Sequence, residues 1–310
     1  MRFSIIVATM NRPYAIANLL SSVAKQTFLP QEFILIDQST TNSTKEICDE
    51  YAVRIAERGQ KFIYIRQETP SLVAARNRGL HASTGDIVCF VDDDVILYDD
   101  YFEKTSFYFH DSKIGGVSGN VVVTSELKGF KWELRKFLMR VFLLSNYEGR
   151  MTISTFGYPI YEREVTQTKK VELFSGYSMN FRRDLAIRHQ SDEWLSGYSF
   201  REDVDLSYRI SHDAQLIIVP DARFIHDVST INRLDVFNLK KMQFKNYFYL
   251  FRKFHKFEFV SWPLFFYSLF GIIVLDLLEF LLGFKKIKWD TFVANFPAIA
   301  QMGRLHREKN

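Results

Sequence analysis

The sequence predicts an α/β protein, with a mostly parallel central sheet flanked by helices and then a C-terminal amphipathic and hydrophobic helical segment. Three observations point to it. Short β-branched apolar runs alternate with helix-period segments over the first hundred residues. Polar residues gather where those runs end. Aromatic residues crowd the last quarter, with 15 of the 30 Phe lying after residue 223.

Along the chain, Phe3–Ala8, Phe33–Asp37, Phe62–Arg66 and Ile87–Val91 read as strands, with helices at Tyr14–Lys25, Lys45–Ala52 and Leu72–His81 between them. The strands are apolar almost throughout, as suits a parallel sheet covered on both faces. Right-handed crossovers set the carboxyl ends of such strands along one edge, where open α/β sheets bind ligands. Thr9-Met10-Asn11, Asp37-Gln38-Ser39 and Asp92-Asp93-Asp94 stand at those ends. From about residue 115 the pattern loosens into an expected strand at Gly116–Thr124, a basic and aromatic stretch at Phe130–Leu144, and a Tyr-, Thr- and Gly-rich region through Lys170 that reads as loops near a substrate. A segment at 174–185, a helix at 202–210 and a strand at Gln215–Pro220 follow. The expected division is 1–230, in halves of 1–114 and 115–230, and then 231–310.

Composition excludes some functions. With 40 Lys plus Arg against 36 Asp plus Glu, the formal charge is only +4, which argues against a nucleic-acid binder driven by bulk charge. At 47% hydrophobic and 25% charged residues the chain can bury a sizeable core, and intrinsic disorder is excluded. Two cysteines, Cys48 and Cys89, are too few for a disulfide framework and suit a reducing compartment. The apolar opening Ile5–Ala8 is broken by Thr9, Asn11 and Arg12, so no secretion is expected.

The triple aspartate after the run "DIVCFV" is the strongest chemical signal. Adjacent carboxylates at a strand end repel unless a cation or well-placed donors neutralise them. A divalent ion held by one or two carboxylates together with substrate phosphates is one solution, and a solvated acidic turn is the other. Its place beside two further polar strand ends favours the metal and diphosphate.

Five segments, "FSIIVATMNRP", "ILIDQS", "AARNRGLHASTGDIVCFVDDDV", "GYSMNFRRDL" and "REDVDLSYRI", occur in an order and spacing that resemble family 2 glycosyltransferases, of GT-A fold, over about residues 1–227. The resemblance implies an inverting enzyme dependent on Mn²⁺ or Mg²⁺ that moves one sugar from a nucleotide-sugar donor to a hydroxyl of a glycan or lipid-linked acceptor. Cell-surface polysaccharide or glycolipid synthesis is the expected setting. It makes 1–114 the nucleotide-binding half and 115–230 the acceptor half. Asp37 is expected at the base or ribose, beside the loop from Thr9 to Asn11, with Arg76, Asp92 and Asp93 also near the nucleotide. Asp94, Asp92 and His226 are the expected metal ligands, and Asp203 the catalytic base. Trp194, Tyr198 and Glu202 are expected at the acceptor. A metal supplies a Lewis acid for the leaving diphosphate, and a carboxylate opposite it takes the acceptor proton.

Plainer readings of the same residues stand beside these. Asp37 also suits an Asx turn, Arg76 a solvated helix charge, His226 a polar structural residue, and Trp194 with Tyr198 ordinary loop packing. Asp203 also reads as a helix-start acid, and a helix start lowers a carboxyl pKa, so a raised value would need burial or the charge of Glu202. Gln38-Ser39 departs from the usual family signature after Asp37, which leaves the nucleobase open. No Gln-x-x-Arg-Trp follows Asp203, and because processive relatives carry that sequence, one sugar per encounter is implied. Alternative functions are transfer to a polyprenyl phosphate, which needs no base, and a non-catalytic membrane-associated nucleotide-sugar-binding or scaffold protein.

In the tail, Val236–Phe257 holds six Lys or Arg and no acid. At 100° per residue its Phe and Tyr side chains fall on one side, as in a basic amphipathic helix of membrane-surface type or one packed on the protein. Phe259–Leu275 is 17 residues without a charge, about 25 Å of helix, slightly short of a bilayer core of about 30 Å. Extension takes in Asp276 and Glu279, which favours an interfacial or monotopic helix over a span, with a buried or homo-oligomer-forming helix as the other reading. The expected location is the cytoplasmic face of a membrane, peripheral or monotopic, with no nucleic-acid partner.

Overall fold

Every expected strand in the first hundred residues forms; the runs at 3–9, 32–37 and 87–91 are buried from both sides, and the one at 61–66, at the end of the sheet, is half-buried. In order these are β1 (Phe3–Thr9), α1 (Pro13–Ala24), β2 (Glu32–Asp37), α2 (Ser43–Glu57), β3 (Lys61–Arg66), α3 (Leu72–Ala82) and β4 (Ile87–Val91). There follow β5 (Val95–Leu97), α4 (Tyr101–Tyr108), β6 (Ile114–Val121), α5 (Phe130–Val141), β7 (Lys169–Val171), β8 (Ser178–Arg182), α6 (Arg183–His189), α7 (Glu202–Ser211) and β9 (Gln215–His226). The chain closes with α8 (Val236–Phe254), α9 (Ser261–Leu282), α10 (Trp289–Val293) and α11 (Asn295–Arg307). This computed structural model describes residues 1–310 apart from 124–128, 162, 198, 228–234, 256–260, 283–288, 308–310 and the side chains of 303–307.

The strand order is β3-β2-β1-β4-β8-β6-β9-β5, with β7 on β9. Pairing is parallel from β3 to β4, as expected of strands joined by crossover helices. Beyond β4 the sheet is mixed, because β8 runs antiparallel between β4 and β6. That reversal matters for function: the start of β8 lies beside the end of β4, with Val91 opposite Ser178. β9 is longer than the expected Gln215–Pro220. Register shifts in its pairing with β6 carry it past Pro220, and its far end pairs with β5, placing His226 opposite Val95.

By contacts the chain forms two compact units, residues 1–124 with 161–232, and residues 125–160 with 233–310. The sheet and its helices make up the first. The stretch 125–160, expected in the acceptor half, belongs instead to the second. Its residues Phe130–Val141 form a helix, and Arg135 donates to Glu279 Oε1 at 2.6 Å.

In that second unit α8 is not a free amphipathic surface. Its aromatic face supplies core, with Phe244, Tyr247 and Phe251 buried and the Phe251 ring stacked on Phe265 of α9 at 4.4 Å. α9 is long and apolar enough to cross a membrane, yet its two acids are buried and bonded within the unit. Asp276 accepts from Lys240 and from Asn295, and Glu279 pairs with Arg135. Buried carboxylates so paired avoid most of the cost of isolated burial. Cys48 and Cys89 are buried free thiols.

α3 fits the sheet closely. Ser71 caps it, its Oγ accepting from Ala74 N–H, and Gly79 lies against β1 where a Cβ would collide with Cγ2 of the buried Ile6. Alanine at this position would gain about 1 kcal/mol of helix propensity. Overpacking a buried branched side chain costs about 1–3 kcal/mol. Gly79→Ala is therefore expected to lower the urea midpoint, and an unchanged or higher midpoint would mean that α3 can back away from β1.

Candidate active site

The parallel strands deliver Thr9, Asp37 and Arg66 in register at one sheet edge. Asp37 is fully buried. Its Oδ2 accepts from Tyr64 Oη at 2.6 Å and Arg66 Nη1 at 2.8 Å, and its Oδ1 accepts from Ser39 N–H at 2.8 Å. The last bond is the Asx turn, so Asp37 both shapes the loop and orients Arg66, whose side chain stays 36% exposed beside it. Burial, together with the bond to Asp37, pushes the Tyr64 hydroxyl up to about 12, so it remains a donor. Asn11 sits at φ 56°, a left-handed conformation that asparagine tolerates, and its Oδ1 accepts from Thr40 N–H at 2.8 Å. The two loops are thereby tied together.

The three aspartates after β4 point three ways. Asp93 turns inward, accepting from Thr9 Oγ1 at 2.7 Å and Arg12 Nη1 at 2.9 Å. Burial pushes its carboxyl up to about 6, although Arg12 and Thr9 hold it down. It thereby locks the β1 loop to the acidic turn, a buried carboxylate at the edge where the nucleotide is expected. Asp94 Oδ1 stands 3.2 Å from His226 Nε2, and Asp227 N–H donates to the Asp94 carbonyl at 2.9 Å. Asp92, Asp94 and His226 each offer one ligand atom within 4.8 Å of the others. Two carboxylate oxygens and an imidazole nitrogen at this spacing fit a divalent ion such as Mn²⁺ or Mg²⁺, leaving room for phosphate oxygens.

The next group is assembled by Arg76, a nearly buried side chain on α3. Its guanidinium pairs with Glu202, donates to Asp92 Oδ1 at 3.0 Å and to the carbonyl of Gly176 at 3.0 Å. Gly176 N–H in turn donates to Asp203 Oδ2 at 2.9 Å, while Val204 N–H donates to Oδ1 at 2.8 Å. Side chains at 92, 76 and 203 are thus joined through the backbone of one bridging residue, Gly176. Burial works against the Arg76 charge, but Glu202 and Asp92 outweigh it and hold the guanidinium above its usual value. Burial likewise pushes Glu202 up in spite of Arg76. Asp203 is raised as well, by burial, against the pull of the Val204 and Gly176 N–H groups and of Arg76. Burial wins over the helix start.

Glu202, expected at the acceptor, is buried and ion-paired with Arg76 at the first residue of α7, after a left-handed Arg201. Arg76, expected near the nucleotide, is occupied by two carboxylates and a carbonyl. Trp194 is half-buried in a single 3₁₀ turn, Glu193–Leu195, capped by Asp192 and tied to α3 where Asn77 donates to the Ser191 carbonyl at 2.9 Å. Tyr198 lies outside the described residues. Sequence reasoning missed Arg12, Tyr64, Arg66 and Gly176. Arg66 ends its strand as Asp37 ends the neighbouring one, a signal that was readable. Gly176 was not: an added Cβ would stand 3.3 Å from Arg76 and 3.4 Å from Glu202, a crowding that only the fold creates.

Comparison with known proteins agrees with this architecture. The family model described as Glycosyl transferase family 2 matches residues 4–188. Over 102 residues the chain is 33% identical to Glycosyltransferase GlyA of Streptococcus pneumoniae, a stretch that is 33% of this chain and 14% of that protein. Over 132 residues it is 30% identical to a PGL/p-HBAD biosynthesis glycosyltransferase of Mycobacterium bovis, 42% of this chain and 50% of the relative. The chain spans about half or less of the length of these curated relatives. Among solved structures, S. aureus TarS 1-349 in complex with UDP-GlcNAc superposes with a TM-score of 0.60 at 16% identity, covering 97% of this chain and 80% of that one. The mannosyltransferase PcManGT from Pyrobaculum calidifontis, in complex with GDP-Man and Mn²⁺, gives 0.55 at 17% identity, covering 98% and 75%. Those two likenesses are of fold, a GT-A arrangement of sheet and helices. On the match across 4–188 and the GT-A architecture, the chain belongs to glycosyl transferase family 2.

Proposed function

We propose that this chain is an inverting, metal-dependent glycosyltransferase that moves one sugar from a nucleotide-sugar donor to a hydroxyl of a glycan or lipid-linked acceptor. It acts at a cytoplasmic membrane surface, in cell-surface polysaccharide or glycolipid synthesis. The single observation behind this reading is the bonded path from Asp92 through Arg76 and the backbone of Gly176 to Asp203, which supports a cation ligand and a buried carboxylate acting at one sheet edge.

A divalent cation bound by Asp92, Asp94 and His226 would stabilise the departing diphosphate as a Lewis acid. Arg66 and Asp37 orient the nucleoside end, and the bonds from Thr9 and Arg12 to Asp93 hold the loop on which it rests. Asp203, its carboxylate oriented by two N–H groups, takes the proton of the acceptor hydroxyl as that oxygen attacks the anomeric carbon. The bond to the diphosphate breaks on the opposite side, and the configuration inverts. Without the Gln-x-x-Arg-Trp sequence, the acceptor leaves after one sugar.

Three outcomes are expected. Asp203→Asn should lower kcat by about 100-fold or more, while the thermal shift given by a nucleotide diphosphate with Mn²⁺ persists. Undiminished turnover would remove Asp203 as the base. His226→Ala should raise the Mn²⁺ concentration needed for half-maximal activity without abolishing it, and an unchanged metal titration would take His226 out of the ligand set. Because burial raises the Asp203 carboxyl above its ordinary 3.8, its proton is retained to higher pH and the basic form is lost sooner on acidification. The acid limb of kcat/KM should accordingly lie above 3.8; a limb at or below that value would contradict it.

A further inference from the structure

We propose that α5 and α9 together form an in-plane docking face for an anionic lipid bilayer; this rests on the membrane part of the reading above and assigns it a surface. α5 wears its amphipathicity outward. Phe130, Leu134, Phe137 and Val141 recur at helical spacing on one side, and Phe130 and Phe137 are 81% and 61% exposed. The opposite side of the helix is the one in use, with Met139 buried and Arg135 bonded to Glu279. α9 repeats the arrangement. Its exposed line runs through Phe266, Phe270 and Leu281, the last two 57% and 64% exposed, over a helix about 33 Å long.

The two lines make one face. α5 and α9 run antiparallel: Lys131, at the start of α5, donates to the carbonyl of Leu282 at the end of α9, and Phe142, just past α5, meets the rings of Tyr267 and Phe270. On each helix the exposed line stands about a third of a turn from the contact line, and the offsets, on helices of opposite direction, fall on the same side of the pair. α8 lies on the other side, where Lys240 meets Asp276.

Charge selects the occupant. On α9 both acids are turned inward to Arg135 and Lys240, so its outer line is wholly apolar. Lys131, Lys136 and Arg140 flank the α5 line, against the single acid Glu133, which pairs with Lys136 at 2.6 Å. An apolar strip edged with cations complements acyl chains beneath anionic headgroups. The exposed Trp289, its ring 5.3 Å from that of Phe280, adds an aromatic group of the kind that settles at such an interface. A spanning orientation of α9 would either break both inward ion pairs or carry their four charged groups into hydrocarbon, whereas lying in the plane keeps them on the protein side.

The test is flotation of the full chain with vesicles of phosphatidylcholine alone or with phosphatidylglycerol. Wild type is expected to float with the anionic vesicles, less so at high salt. Phe137→Asp combined with Phe270→Asp, both at exposed positions, should cut the bound fraction at least tenfold while the melting temperature and the nucleotide-induced shift are kept. Lys136→Glu with Arg140→Glu is the second variant, expected to erase the preference for anionic vesicles. If wild type and the aspartate variant float alike, the face is wrong although the membrane reading stands. If wild type floats with neither vesicle, both fall. A wild-type dimer that the aspartate variant dissociates, with no vesicle binding, would assign the face to a second copy and overturn the proposal.

Discussion

The site depends on one buried cation. Arg76 pairs with Asp92 and Glu202, residues 16 and 126 positions away in the chain, and caps the carbonyl of Gly176, the residue whose N–H holds Asp203. Without it, three carboxylates would share a poorly solvated corner and at least one would take up a proton. An ion pair buried this deeply adds little net stability, because desolvation offsets its Coulomb energy, but loss of the cation alone would cost about 3–5 kcal/mol. Arg76 therefore acts chiefly on specificity of arrangement: it keeps α7, the start of β8 and the end of β4 in one relation.

Two departures from regular sheet make that relation possible. A uniformly parallel sheet would send the start of β8 to the far edge; running antiparallel, β8 presents Gly176 and Tyr177 where β4 ends, and Asp92 N–H donates to the Tyr177 carbonyl at 3.2 Å. The irregular pairing of β9 with β6 carries it far enough to reach β5, and His226 arrives beside Asp94. Irregularity at a strand is costly unless something uses it. Here it supplies the imidazole of the cation site.

The second unit shows the same economy in reverse. Its helices hold some charged groups among the buried aromatics and leave some large apolar ones outside, and these inward charges have partners on another helix, as Asp276 has Lys240 and Glu279 has Arg135. Sequence alone made Asp276 and Glu279 interruptions of an apolar helix. In the folded unit they are its attachments.

Much was readable without coordinates. Apolar runs of strand length, separated by helical periods, determined β1 to β4 and α1 to α3; burial on both faces leaves a plain signature in β1, β2 and β4, and β-branched and aromatic residues mark the half-buried β3. The polar strand ends and the triple aspartate likewise followed from local order, since the carboxyl ends of parallel strands share an edge. What only the tertiary structure decided is which carboxylate faces where. Asp92, Asp93 and Asp94 are chemically alike and adjacent, yet one pairs with Arg76, one turns to Thr9 and Arg12, and one meets His226. Glu202 and Asp203 divide in the same way between an ion pair and two N–H groups. Such choices are set by partners distant in the chain and by the burial that raises or lowers each charge, and neither is present in the order of residues until the chain has folded.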